Sequence, residues 1–168
     1  MTVSQLARSS PGRLARRAHS LEWEHVTEHL GFRIADEVFA LPLTDVRELL
    51  TPPLITFVPR APKAALGLAS VRGMLVTVLD LGVRFGKRAK PVDPTSEKRA
   101  RVLLVLSPEG ETIGLLVDEV LSVYRLAEHE LEPASALGGT VSEHVVGLGR
   151  QDDHLLILLS LSAVLKAL

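Results

Sequence analysis

The 168-residue sequence contains no cysteine, and only 4% of its residues are aromatic. Without cysteine there is no disulfide framework, no thiol nucleophile and no cysteine-ligated zinc site. The scarcity of aromatic side chains removes the stacking platform used by single-stranded nucleic acids, and the net charge of -1 lacks the positive excess of a nucleic-acid-binding domain. We therefore expect neither thiol chemistry nor a nucleic-acid partner.

The sequence also lacks an apolar run long enough to cross a membrane. Its most apolar stretch, residues 155–168, is interrupted by Ser160, Ser162 and Lys166. The first twenty residues carry four arginines and no acidic residue, but they lack the apolar centre of a secretory signal. We therefore expect a cytoplasmic protein without direct membrane insertion, whose residues 1–20 form a basic, flexible tail.

Hydrophobic residues make up 46% of the chain, enough for a substantial core built from leucine, valine, isoleucine and alanine. Most of them occur in short runs separated by turn residues, which is typical of β-strands. These runs cover residues 32–36, 37–43, 66–72, 74–79, 102–106, 112–120, 145–149 and 155–159. The pattern predicts a mainly β protein formed of small antiparallel barrels or a sandwich.

A few short helices interrupt the predicted strands. Apolar residues at helical spacing predict an amphipathic helix over residues 21–30, ended by Gly31. Thr44 or Asp45 can cap one helical turn running through residues 46–49. Two further helices are predicted after residue 80 and over residues 161–168, the first of them capped by Asp80 itself.

One motif suggests catalysis. His25, Glu28 and His29 match H-x-x-E-H, a pattern in which two histidines bind zinc and the glutamate activates water. A zinc peptidase also needs a carboxylate ligand on a second long helix, whereas almost everything after Gly31 is predicted to be strand. We expect the two histidines to be solvated and no metal to bind, with the zinc peptidase as an alternative of another class.

Two sets of carboxylates are further candidates. Asp80 ends an apolar strand, as the phosphorylated aspartate of a receiver domain does, but neither the magnesium-binding acidic pair nor the lysine of such a site is apparent. Asp118 and Glu119 are neighbours on a strand and point to opposite faces, so they cannot readily share one site. We expect Asp80 to cap a helix, and we expect the chain to contain no catalytic residue.

Four ordered segments resemble the CheW family, the coupling proteins of bacterial chemosensory arrays. The resemblance extends from about Phe32 to the C-terminus. The segments are FALPL with VREL (residues 39–43 and 46–49), LGLASVRG with VLDL (66–73 and 78–81), IGLLVDEV (113–120) and LLILLSL (155–161). The family pattern has asparagine where this chain has Ser70.

The resemblance implies two SH3-like five-stranded β-barrel subdomains with a few short helices, intertwined within residues 31–168. It also implies no enzymatic activity and no cofactor. The expected partners are the regulatory domain of the chemotaxis histidine kinase and the cytoplasmic tip of a chemoreceptor. A variant member, which binds receptor but not kinase in a motility or developmental pathway, would show the same segments.

The family pattern also assigns a site. An arginine before the glycine of a hairpin and a glutamate after the valine of a helical turn correspond to Arg72 and Glu48, and we expect these two to form a partly buried ion pair beside the binding surface. The candidate protein-binding residues are Val46, Glu48, Leu49, Val71, Arg72, Gly73 and Met74.

Overall fold

The computed structural model describes residues 25–137 and 142–166, which are mainly β-strand. The strands are β1 (Thr27–Ile34), β2 (Glu37–Pro42), β3 (Val46–Leu50), β4 (Ile55–Thr56), β5 (Ala65–Val71), β6 (Met74–Asp80), β7 (Arg101–Leu106), β8 (Thr112–Val117), β9 (Glu119–Leu126), β10 (Leu131–Pro133), β11 (Val145–Gln151) and β12 (His154–Leu159). The helices are α1 (Leu81–Arg84), α2 (Leu161–Leu165) and single 3-10 turns at Leu43–Asp45, Glu128–Glu130 and Ala134–Ala136. None of the helices in the described ranges is long and apolar enough to cross a bilayer.

The strands form two sheets that correspond to two subdomains. Sheet A has the order β10-β11-β12-β2-β1-β9, and sheet B has the order β3-β7-β8-β6-β5-β4. The chain leaves sheet A after β2, builds all of sheet B, and returns to sheet A with β9, so the two units are intertwined. Each sheet has five longer strands and one short edge strand, β10 or β4. The predicted fold class, mainly β with two subdomains, is confirmed.

The near-continuous apolar runs arise because central strands bury both faces. Along β7, Val102 and Leu104 enter a core inside sheet B, whereas Leu103 and Val105 enter the core between the sheets. Strand β12 also buries both of its faces, and on one of them Leu156 enters a third core, inside sheet A. Side chains alternate along a strand, so a strand between two cores must be apolar throughout.

Asp80 caps α1 as predicted, and its carboxylate accepts a hydrogen bond from the backbone N–H of Val83. Ser160 caps α2 in the same way through the N–H of Ala163. Residues 145–149, predicted as a strand, lie in β11, which pairs with β12, the last strand.

The helix predicted over residues 21–30 is wrong for residues 27–30, which begin β1. Strand β1 pairs with β2 on one side and β9 on the other, and Leu30, Phe32 and Ile34 point into the central core at the two-residue spacing of a strand. Gly31 does not end a helix. Its missing side chain makes room for the ring of Tyr124. Residues 1–24, which include the predicted tail, lie outside the described residues.

The helical turn predicted over residues 46–49 is also wrong. These residues form β3, which pairs with β7 and alternates between half-buried and exposed positions. The helical turn lies earlier in the chain, at Leu43–Asp45. Thr44 and Asp45 lie within this turn, so neither residue caps it. Pairing with β7 decides the outcome, because a segment this short has no strong conformational preference of its own.

Candidate protein-binding site on the β5–β6 hairpin

The two-residue turn between β5 and β6 presents Arg72 at the tip of a hairpin. Val71 and Met74 form the last pair of the ladder, and the turn residues Arg72 and Gly73 have φ of 50° and 79°. A hairpin turn with positive φ at both central residues matches the twist of the two strands, and glycine adopts this conformation without strain. A non-glycine residue is uncommon at positive φ, so the backbone at Arg72 carries a strain that glycine would not.

Arg72 forms a two-pronged ion pair with Glu48. Its Nη1 donates to Oε2 of Glu48 at 2.7 Å, and its Nη2 donates to Oε1. Strand β3, which carries Glu48, is three places from β6 in sheet B, and strands in a sheet are spaced about 4.8 Å apart. The sheet therefore curls until the β5–β6 tip meets β3, and the ion pair joins the two ends of that curl.

This ion pair is less buried than expected. The side chain of Arg72 is 71% exposed and that of Glu48 is 30% exposed. The geometry predicted from the sequence is present, but Arg72 stands largely in solvent, and Glu48 comes from a strand rather than a helical turn. An ion pair at this exposure contributes about 1 kcal/mol or less to stability, so both charges remain open to a partner.

The apolar candidates divide into core and surface residues. Val71 is buried inside sheet B, and Val46 packs against the core between the sheets. Leu49 and Met74 are about half exposed beside the ion pair, and Gly73 is exposed at the tip. The sequence reasoning missed Leu75, which is 75% exposed. Strand alternation could have identified it, because Val76 and Val78 point into the core of sheet B, so that Leu75 points to the opposite face of the strand.

The sequence reasoning also missed a second ion-pair cluster, around Arg88. The Nε of Arg88 donates to both oxygens of Asp80, at 2.9 and 3.1 Å, and its Nη1 donates to Asp118 at 2.8 Å. Burial opposes the charge of Arg88, but hydrogen bonds and Coulombic attraction to the two aspartates outweigh it and raise its pKa. Asp118 also accepts the N–H of Ala35, so the cluster joins the loop after α1 to the β1–β2 turn and the β8–β9 junction.

Asp80 is fully buried and paired with Arg88, so its carboxylate is not open to a phosphodonor. Asp118 pairs with Arg88 and Glu119 pairs with Arg33 at 2.6 Å, so the two carboxylates do not share one site, as predicted, although Asp118 lies between β8 and β9 rather than on a strand. Asp80 therefore caps α1, as predicted, and in the folded chain it also forms an ion pair with Arg88.

The H-x-x-E-H residues do not form a metal site. Residues 27–29 lie on strand β1 rather than on a helix, so His25 and His29 are not placed one helical turn apart, and Glu28 pairs with Arg125 at 3.4 Å. His29 is buried rather than solvated, and this burial lowers its pKa. Within residues 25–137 and 142–166, no group of three histidine, aspartate or glutamate side chains could hold a metal ion.

Comparisons with known proteins agree with this architecture. The sequence matches the CheW-like domain over residues 28–168. It is 26% identical over 143 residues to chemotaxis protein CheW of Helicobacter pylori, covering 85% of this chain and 84% of that protein. It is 29% identical over 122 residues to protein FrzA of Myxococcus xanthus, covering 72% of each.

A solved structure has the same fold. The crystal structure of scaffolding protein TtCheW from Thermoanaerobacter tengcongensis superposes with a TM-score of 0.73 at 28% sequence identity, covering 83% of this chain and 92% of that one. The match of the CheW-like domain to residues 28–168 spans nearly all of the two intertwined sheets. The chain therefore belongs to the CheW-like domain family.

Proposed function

We propose that this chain is a non-catalytic adaptor that couples methyl-accepting chemoreceptors to a histidine kinase in a chemosensory array. The observation that carries the proposal is the family match over residues 28–168, together with the similarity to chemotaxis proteins along most of their length. The partners are the regulatory domain of the kinase and the cytoplasmic tip of the receptor. The protein acts in the cytoplasm, recruited to receptor arrays.

The β5–β6 hairpin is the proposed contact surface. It presents two opposite charges in a fixed two-pronged geometry, with the exposed apolar side chains of Leu49, Met74 and Leu75 nearby. A partner can exchange hydrogen bonds with either charge while burying these apolar groups, and charged groups at an interface set register and specificity. Val46 and Val71 support the surface from beneath.

A surface of this size favours weak individual contacts. Stable interfaces bury about 800 Å² on each partner, and a hairpin tip with three apolar side chains provides less. Many linked copies in an array compensate, because a second contact within one assembly forms at high effective concentration. Adaptor function therefore requires only modest affinity at each contact.

The test is a pulldown of purified kinase regulatory domain and receptor fragment with the wild-type chain and with Arg72→Glu. A negative charge at position 72 would repel Glu48 instead of pairing with it. The change should weaken the capture of one or both partners by about tenfold or more. The matched control is Arg125→Glu, since Arg125 is equally exposed and pairs with Glu28 on the other sheet. Circular dichroism verifies that both variants keep the wild-type fold.

Capture of both partners at wild-type level by folded Arg72→Glu would refute the site assignment but leave the adaptor function intact. Failure of the wild-type chain to capture either partner would contradict the adaptor function itself. A second candidate is a variant adaptor of a motility or developmental pathway, since the chain is about as similar to protein FrzA, which does not carry the chemotaxis name, as to chemotaxis protein CheW. Capture of receptor but not kinase would favour it.

A further inference from the structure

Sheet A curls around its own core, and several of its strands begin or end together at one end of the sheet. Leu126 of edge strand β9 and Leu131 of edge strand β10 pack in the same core, so the two edges of the sheet approach each other. The side-chain amide of Gln151 in β11 donates to the carbonyl of Arg125 in β9 at 3.1 Å and joins these strands. Strand β1 begins where β2 and β9 end. We name this end the mouth of sheet A.

A cleft of about 600 Å³ lies at the mouth of sheet A. Val26, Pro42 and Leu43 give it apolar walls, and His29 and Thr44 are among its polar residues. Sites for small molecules are typically clefts of about 300–1,000 Å³ with apolar walls and a few polar groups, and they often lie in the mouths of β-barrels. The cleft therefore has the size and the lining of a small-molecule site.

His29 points into the interior of sheet A from the lining of this cleft. The next residue, Leu30, enters the core between the sheets, so His29 points to the opposite face of β1. It pairs with Tyr124 of β9, which packs against the core inside sheet A. His29 is only 9% exposed, and its Nδ1 is buried with no hydrogen-bond partner among the described residues. Buried polar atoms are almost always hydrogen-bonded, so this nitrogen needs a partner from outside the chain.

The chemistry of the His29 ring indicates which group can be that partner. Burial lowers the pKa of His29 from its ordinary value of 6.5, so the ring is neutral at neutral pH. The χ2 torsion of histidine is broad and roughly two-fold, so a half-turn of the ring exchanges Nδ1 with the carbon on the other side. Each nitrogen of a neutral imidazole is a donor or an acceptor according to the tautomer. A hydroxyl group can donate or accept, so it can pair with either tautomer.

The charges at the rim of the cleft cancel each other. Glu28 and Arg125 are the two charged residues of the lining, and they pair with each other at 3.4 Å. A charged ligand would therefore meet a like charge beside an opposite one, and it would lose hydration against the apolar walls. The lining thus favours a neutral molecule.

We propose that the mouth of sheet A binds a neutral, mainly apolar small molecule whose hydroxyl group forms a hydrogen bond with His29. The chemical class is that of phenols and small alcohols. The site belongs to sheet A, whereas the contact surface proposed on the β5–β6 hairpin belongs to sheet B. Loss of one site should therefore leave the other intact.

The probe is phenol, titrated into the full chain and followed by NMR through the backbone amides that border the cleft. Phenol should shift these signals saturably, with a Kd on the order of 1 mM, as is typical of so small a ligand. Toluene has the same shape without the hydroxyl group and should bind about tenfold more weakly. Benzoate and benzylamine carry a charge and should also bind about tenfold more weakly than phenol.

Three variants test the role of His29. His29→Phe removes the ring nitrogens but keeps an apolar ring, so phenol should bind to it no better than toluene. The matched control is His144→Phe, because the Nδ1 of His144 is also buried without a partner, but its ring stacks on Phe85 with centroids 4.7 Å apart, beside the core between the sheets. This control should keep the preference for phenol. Thr44→Trp, at an exposed position of the rim, should block both ligands.

Equal binding of phenol and toluene to the wild-type chain would overturn the proposal, as would tighter binding of benzoate or benzylamine. Loss of the preference for phenol in His144→Phe would also overturn it, because the effect would then not belong to the mouth of sheet A. Circular dichroism shows whether His29→Phe folds. If it does not, loss of phenol binding in Thr44→Trp supports the site, and wild-type binding in Thr44→Trp overturns it.

Discussion

Arg72 and Arg88 each form an ion pair with a carboxylate through similar hydrogen bonds, but the first pair is exposed and the second is buried. Arg72 meets Glu48 at the hairpin tip with its side chain 71% exposed, whereas Arg88 meets Asp80, which is 0% exposed. Water screens the first pair and is excluded from the second. This difference indicates that an ion pair of the same kind can serve either the binding of a partner or the stability of the fold. The burial of the pair decides between these two roles.

The position of each pair in the fold agrees with this division. Glu48 and Arg72 join the two ends of curled sheet B at its open tip. The Arg88 cluster instead lies where the chain passes between the two sheets, because Asp118 separates β8 from β9. We therefore expect the Arg88 cluster to fix how the sheets sit together, and the hairpin pair to leave the fold unaffected.

The largest effect should follow loss of Arg88. Arg88→Leu leaves Asp80 buried without its cation, and breaking a buried pair in this way lowers the free energy of unfolding by about 3–5 kcal/mol. Urea unfolding measures the change. Arg99→Leu is the control, since Arg99 is exposed and meets Glu119 at 3.3 Å. A loss in Arg88→Leu no larger than that in Arg99→Leu would contradict the architectural role.

A smaller loss should follow Gly82→Ala. The added methyl group would overlap the guanidinium of Arg88, which cannot move away without leaving its two aspartates. Overpacking of this kind costs about 1–3 kcal/mol, partly offset by the better helix propensity of alanine. In the Arg88→Leu background the overlap with the guanidinium is gone, so Gly82→Ala should cost less there. Equal costs in both backgrounds would show that the overlap is not the cause.

Arg72→Gly should change stability by about 1 kcal/mol or less. The exposed ion pair is lost, but glycine relieves the strain of a positive φ, and the two effects are of similar size. Binding of the kinase domain or receptor fragment should nevertheless fall, which pulldown measures beside urea unfolding. A stability loss comparable to that of Arg88→Leu would remove the distinction between the two arginines.

The smallest effect concerns His29, a buried titratable group outside both clusters. Burial lowers its pKa from the ordinary value of 6.5, so the unfolded chain binds the proton first as the pH falls. Stability should therefore decrease from pH 6.5 downward until the folded pKa is reached, and His29→Gln should make this decrease shallower. Urea unfolding between pH 7.5 and 5 measures the slope. An unchanged slope in His29→Gln would contradict this contribution.

The sequence predicted what depends on local pattern. Alternating and continuous apolar runs identified most strands, Gly73 between the runs 66–72 and 74–79 marked a hairpin, and Asp80 was recognised as a cap. The prediction failed at residues 27–30 and 46–49, where pairing with distant strands overrides weak local preferences.

The sequence alone therefore determined the fold class, the family and the pairing of Arg72 with Glu48, which came from the family pattern. Only the tertiary structure decided how exposed that pair is and that Arg88 holds two aspartates. The physical reason is that burial, and contacts between residues far apart in the chain, depend on how sheets curl and pack, which no local spacing of residues encodes.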